Sequence, residues 1–297
     1  MKTSSRLKGI ALGLAVTLGS VLPGHAIAII WNYDYDTGGF FTEERKLVLE
    51  KAAARFDHLA IDSPDLPYPT EEGAYWDWNI INPSTGVAGT YIPGSLQAGT
   101  VTIYVGAYDL GEGVLGRGGP AGSDVLATPE WVAIFDTLNT PEVFKPYAGT
   151  LSLTNSSEYT WYSGLSDEVP DGEVDLYSVV LHELGHVFGI GTSDAWDARI
   201  VGDHFVGDHV VSLLPGGVQV TDDHSHFEDA EWNGMPLLLN TALLEGQRYD
   251  WSDLETAALQ DLGYVLVPEP ATISFAVTGF GLLFALQRRR RARQNAA

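Results

Sequence analysis

A mixture of α and β elements is predicted by two kinds of apolar pattern that occupy separate stretches of the chain. Strand-like alternation of β-branched and polar residues runs through residues 100–106 and 149–154. Helical spacing runs through residues 42–58 and 176–187, and again from Ser252-Asp253-Leu254-Glu255, a capping box, to Leu262.

In chain order, residues 29–35 are short and aromatic and predict a first strand. Thr42 starts a helix to His58, with Leu47, Leu49, Ala53, Ala54 and Phe56 as a loose apolar face. Residues 100–106 form the next strand. Residues 110–122 are rich in glycine and are expected to be loop. Residues 149–154 form another strand, the expected edge of the sheet, where an extended peptide could add by main-chain hydrogen bonds. Trp161-Tyr162-Ser163-Gly164 and an acidic turn then lead to a second helix. Asp175 or Glu173 starts it, acidic groups being favoured at a helix N-terminus. Leu176, Val179, Val180 and Val187 are its apolar positions, and Gly189 and Gly191 stop it. The capping box opens a last helix that Gly263 closes.

Both ends of the 297-residue chain read as addresses. Residues 1–28 have the form of a signal peptide: Lys2, Arg6 and Lys8, an apolar run, then Ala26-Ile27-Ala28 as a cleavage site, with Ile29 as the mature start. Residues 29–266 are expected to form one domain, since no linker divides them. At the far end, Val267-Pro268-Glu269-Pro270 precedes an uncharged segment, 271–286, then Arg288 to Arg291 and Arg293. The segment is short of the ~20 residues of a spanning helix, although snorkelling arginines extend its reach. The arginines place that end on the cytoplasmic side.

Of 16 basic and 39 acidic residues, the two ends hold eight basic and one acidic, so 29–266 carries eight against 38. Such a surface repels phosphate backbones and argues against nucleic-acid binding. Calcium is a further candidate cation for it, without an assignable site. With no cysteine, disulfides, thiolate catalysis and cysteine-ligated zinc are excluded.

The chemistry concentrates in His182-Glu183-Leu184-Gly185-His186. Histidines four apart on a helix share a face and can share one ion, zinc above all. Glu183, the next residue round, can reach a water on that ion and serve as general base for peptide hydrolysis. A third ligand is required.

This helix and its sequel resemble the metzincin zinc peptidases, whose motif is HExxHxxGxxH. Gly189 matches, but Thr192 stands at the third histidine. Leishmanolysin-like metzincins take that ligand from beyond an insertion, and Asp222-Asp223-His224-Ser225-His226-Phe227-Glu228 resembles their Ser-His-Trp-Glu segment. The resemblance implies His226 as third ligand, with His224 and Asp194 as alternatives and His204 and His209 as bystanders. Residues 104–107, 175–179, 237–243, 246–248 and 254–264 resemble the same group, in particular its members with a PEP-CTERM sorting tail, which Pro268-Glu269-Pro270, the apolar segment and the arginines resemble in turn. That tail implies export across the inner membrane of a Gram-negative-type cell, transient membrane residence and removal by an exosortase-like enzyme. The metzincin resemblance implies an α+β fold: a small twisted mixed sheet, a backing helix from the Thr42 region and an active-site helix beneath a cleft. It also implies a methionine turn beneath the metal, to which Met235 is nearest in sequence and Leu239 nearest in pattern. Two alternatives to a peptidase are an inactive surface or matrix protein that keeps the fold, and a zinc hydrolase of another amide bond.

Overall fold

A computed structural model of the protein describes residues 25–65, 68–70, 73–94 and 97–267. Residues 1–24 of the expected signal peptide 1–28, and residues 268–297 of the expected tail 267–297, lie outside the described residues. Among those described, no helix is long and apolar enough to cross a membrane.

The fold is α+β, with several small sheets and helices. Four strands make the sheet that carries the site: β1 (Ala28–Asn32), β2 (Thr100–Tyr108), β3 (Gly116–Pro120) and β4 (Ala148–Thr154). Their spatial order is β1-β2-β4-β3. The first three run parallel and β3 runs antiparallel to β4. Val101, Ile103 and Val105 of β2 join Leu151 and Leu153 of β4 on one face, against two helices. These are α1 (Glu43–Ala53), capped by Thr42, and α2 (Leu176–Val187). Every residue of α2 is buried, so the helix runs through the core rather than over it. A third helix, α3 (Asp253–Asp261), carries the expected capping box between Ser252 and Glu255. On the opposite face Trp76, Trp78 and Tyr147 form a smaller cluster with Tyr104 and Ala148.

Two expectations are corrected. The glycine-rich stretch is not all loop: residues 116–120 form β3, and Gly122–Leu126 pairs with Tyr75–Ile80 in a second sheet. The edge strand beside the helix is therefore β3, while the 149–154 strand lies inside the sheet with all of its residues buried. The glycines here serve close approach rather than turning. A Cβ on Gly118 would lie 2.3 Å from the Glu183 carbonyl oxygen, and one on Gly116 would lie 2.6 Å from the Glu183 carboxylate. Only a strand bare on that face can pack on the helix at this depth.

The expected junction between Ala28 and Ile29 falls within packed structure. His25–Ala26 pairs with Leu59–Ile61, and Ile27 is 3% exposed.

Candidate metal centre

The site is built on α2. Asp175 caps its first turn, accepting from the Ser178 N–H and hydroxyl. The same carboxylate takes a two-pronged grip from Arg248, Nε to Oδ2 at 3.0 Å and a terminal nitrogen to Oδ1 at 2.7 Å. Both side chains are nearly solvent-free, and the guanidinium lies over the ring of Tyr177. The helix N-terminus is thus fixed to a segment 73 residues away.

Two turns on, His182 and His186 project to one side, as four-residue spacing requires. His226 arrives from a loop and completes a triangle. The three Nε2 atoms lie 3.1 Å (182 to 186), 3.2 Å (186 to 226) and 3.2 Å (182 to 226) apart. The tautomers follow from the partners of the other ring nitrogens. His182 Nδ1 lies 2.8 Å from the Leu238 carbonyl, and His186 Nδ1 lies 2.8 Å from the Ile190 carbonyl. A carbonyl only accepts, so both nitrogens carry protons. His226 Nδ1 lies 2.7 Å from Ser225 Oγ, whose own proton goes to Asp223 Oδ1 at 2.7 Å, so this Nδ1 donates too.

Burial pushes all three imidazoles below their ordinary value: His182 far below, His186 to about 4, and His226 to a lesser degree. Neutral rings protonated at Nδ1 present bare lone pairs at Nε2. Three lone pairs converging at this distance repel one another unless they share a cation, so the short contacts between them are not hydrogen bonds. The donor set fits zinc. A tetrahedral site with metal–nitrogen bonds of ~2.0–2.1 Å has edges of ~3.3–3.4 Å, close to this triangle. Among the described residues this triad is the one group of three or more such side chains within reach of a shared ion.

Each alternative ligand is accounted for. His224 adopts a positive φ of 60° and contributes its carbonyl to Trp196 Nε1, while its imidazole stays out of the triad. Asp194 starts a short helix and is exposed. His204 pairs with Asp203, and the backbone N–H of His209 donates to Asp261. Thr192 donates to the His186 carbonyl at 2.6 Å, so the residue at the missing histidine ties down the end of the helix instead. Gly191, at φ 72°, admits the His226 loop: a Cβ there would meet the Ser225 carbonyl oxygen at 2.1 Å.

Leu239, fully buried, packs under Gly185, with its methyl groups about 3.0 Å from where a Cβ would stand. Met235 is 65% exposed. The turn beneath the histidines therefore carries leucine. Glu255 holds this turn, a role the capping box alone did not disclose. One oxygen caps its own helix at Ser252 N, and the other accepts from Leu239 N at 3.0 Å.

Glu183 is buried beside β3. Burial pushes its carboxyl up to about 8, against a Gly118 N–H donation and the Arg117 charge, which pull it down. Together with the triad it lines a cleft of about 580 Å³, bounded by Gly113–Gly118 on one side and by Thr241, Ala242 and Leu243 on another.

The fold and site define an α+β protein in which two buried histidines and one partly buried histidine lie within reach of a shared ion, next to a buried carboxyl group. No known family matches the chain, and no curated protein sequence is significantly similar to it.

Proposed function

We propose that the protein is an exported zinc-dependent metalloendopeptidase of metzincin type, with His182, His186 and His226 as zinc ligands and Glu183 as general base. The observation that carries this reading is the convergence of three bare Nε2 lone pairs beside a buried carboxyl at a strand edge. Zinc so held supplies Lewis acidity toward water and toward a scissile carbonyl. Glu183 takes the proton of the attacking water and delivers it to the leaving nitrogen. A neighbouring cation lowers its pKa toward the range in which it can do both. The outer edge of β3, unpaired among the described residues, borders the cleft and offers main-chain groups to an extended peptide. Gly116 and Gly118 keep that edge close to Glu183.

Export and tail processing rest on the two terminal segments. A signal peptide, a PEP-CTERM-like tail and an exosortase-like partner place the domain in the cell envelope or outside it, after passage across the inner membrane. The acidic domain takes protein or peptide substrates rather than nucleic acid.

The deciding experiment measures zinc content and casein hydrolysis of the purified protein beside Glu183→Ala, His226→Ala and His224→Ala. One zinc per chain is expected, retained in Glu183→Ala and His224→Ala and weakened in His226→Ala, with hydrolysis lost in Glu183→Ala and His226→Ala. Zinc without hydrolysis of any peptide would favour a binding protein of the same fold. Full zinc affinity in His226→Ala would overturn the ligand assignment.

A further inference from the structure

Charge along the cleft bears on which peptides it takes. Residues 29–266 hold eight cationic side chains against 38 acidic ones, so an unpartnered cation is unexpected there. Six of the eight are engaged. Lys46, Lys51, Arg55 and Arg248 form ion pairs with carboxylates. Arg45 and Arg199 donate to backbone carbonyls. The remaining two, Arg117 and Lys145, make no ion pair or side-chain hydrogen bond among the described residues.

Both of these face the same run of connected cavities. Arg117 lines the 580 Å³ cleft and an adjoining cavity of about 400 Å³ with Asn79 and Ser152. It pairs across the sheet with Ser152, whereas Gly116 and Gly118 face Glu183, so its side chain leaves the opposite face of β3. Lys145 lines a cavity of about 310 Å³ walled by Trp78, Tyr147 and Pro120. That cavity shares Thr192 with the cleft and Pro120 with the Arg117 cavity. Among the described residues, Glu183 is the sole carboxylate lining any of the three. Among the described residues, a domain dense in acid has kept every carboxylate but Glu183 out of this groove and left in it two cations without a contact ion pair, of which Arg117 acts on Glu183 through its charge alone.

We propose that the groove selects acidic peptide segments, with Arg117 and Lys145 receiving substrate carboxylates. This rests on the peptidase reading and adds its substrate class. Arg117 and Pro120 are three residues apart on β3, ~10 Å of extended chain. A peptide lying along this edge with a carboxylate at Arg117 brings a residue two or four positions along, its side chain on the same face, to the Lys145 cavity. The acidic exterior does not cancel the preference, because charges beyond ~8 Å are largely screened at physiological salt. Selection therefore acts at contact, not through long-range steering.

The test uses three quenched-fluorescent peptides of one length that differ only in carrying Glu, Gln or Lys around the scissile bond. Turnover is measured with the zinc-loaded full-length protein, and binding by anisotropy with Glu183→Ala. Arg117→Glu and Lys145→Glu are compared as single changes. The Glu peptide is expected to exceed the Gln peptide about tenfold in kcat/KM, as for one to two contact ion pairs gained. That ratio falls to one or below in each charge reversal. A ratio of one in the unaltered protein, or one that survives both reversals, overturns the inference while leaving hydrolysis intact. Absence of turnover on all three, with tighter binding of the Glu peptide that each reversal abolishes, would sink the peptidase reading and sustain this one. Equal binding of all three would overturn it.

Discussion

Two glycines separate the catalytic proposal from mere stability, because a methyl group at each would strike a different part of the same residue. On Gly116 it would meet the Glu183 carboxylate oxygen at 2.6 Å, and on Gly118 the Glu183 backbone carbonyl at 2.3 Å. Neither glycine has a positive φ, so alanine is sterically the only perturbation. In Gly116→Ala the carboxylate must retreat by about 0.8 Å to reach ordinary contact at 3.4 Å, which the end of a side chain can do. A displacement near 1 Å costs ~100-fold in rate when it moves a reacting group. In Gly118→Ala the neighbour is helix backbone, which cannot turn aside, so strand and helix must separate at a cost of ~1–3 kcal/mol. Peptide hydrolysis, zinc stoichiometry and thermal unfolding measured side by side distinguish them. Gly116→Ala should lose activity with zinc retained and a small change in Tm; Gly118→Ala should lower Tm clearly. Wild-type kcat/KM in Gly116→Ala, with zinc bound and the fold intact, would refute the placement of Glu183 as base.

Other consequences follow from the supports of the site. Arg248→Met strands the buried Asp175 carboxylate and should destabilise by ~3–5 kcal/mol, measured by denaturant unfolding; a loss below ~1 kcal/mol would mean that the clamp is solvated. Glu255→Gln keeps one acceptor where Leu239 N and Ser252 N need two, so a loss of ~1–3 kcal/mol is expected, with weaker zinc binding because the neighbouring Leu238 carbonyl orients His182. Unchanged zinc affinity in that variant would disconnect the turn from the metal. For the protein stripped by a chelator, pH acts in two directions. His186 is depressed from 6.5 to about 4, so its contribution is complete above 6.5 and fades as pH falls through that window. Glu183 is raised from 4.5 to about 8, so the native state binds the extra proton and stability falls as pH rises from 4.5 to 8. Above pH 6.5 only Glu183 acts among these two, so Tm should decline toward pH 8, and Glu183→Gln should remove the decline; a flat wild-type profile would contradict its burial.

What was legible in the sequence was local. His182, Glu183 and His186 share one helix, and Asp175 and Ser252 cap within three residues of their partners, so spacing alone reaches them. His226 lies 40 residues beyond His186, and only a motif resemblance singled it out. The edge strand was hidden because glycine signals turns far more often than it signals a strand stripped for contact. Arg248 and Glu255 were hidden for a related reason: their partners lie 73 and 16 residues away, and nothing local marks either contact. Yet these distant contacts are what shape the triad. Each imidazole is oriented by a different part of the chain: His182 by the turn that Glu255 holds, His186 by the Ile190 carbonyl after the Gly189 stop, and His226 by Ser225 and Asp223. All three Nδ1 protons are committed before any ion arrives, which leaves the three Nε2 lone pairs aimed at one point. A cation bound at that point, as proposed, would relieve the mutual repulsion of these lone pairs, and the anchoring of the rings would then favour metal affinity. A motif of two histidines and a glutamate becomes a converged three-histidine cluster only through these three separate anchors, and if the cluster holds zinc as proposed, loss of any one should weaken zinc binding without touching a ligand.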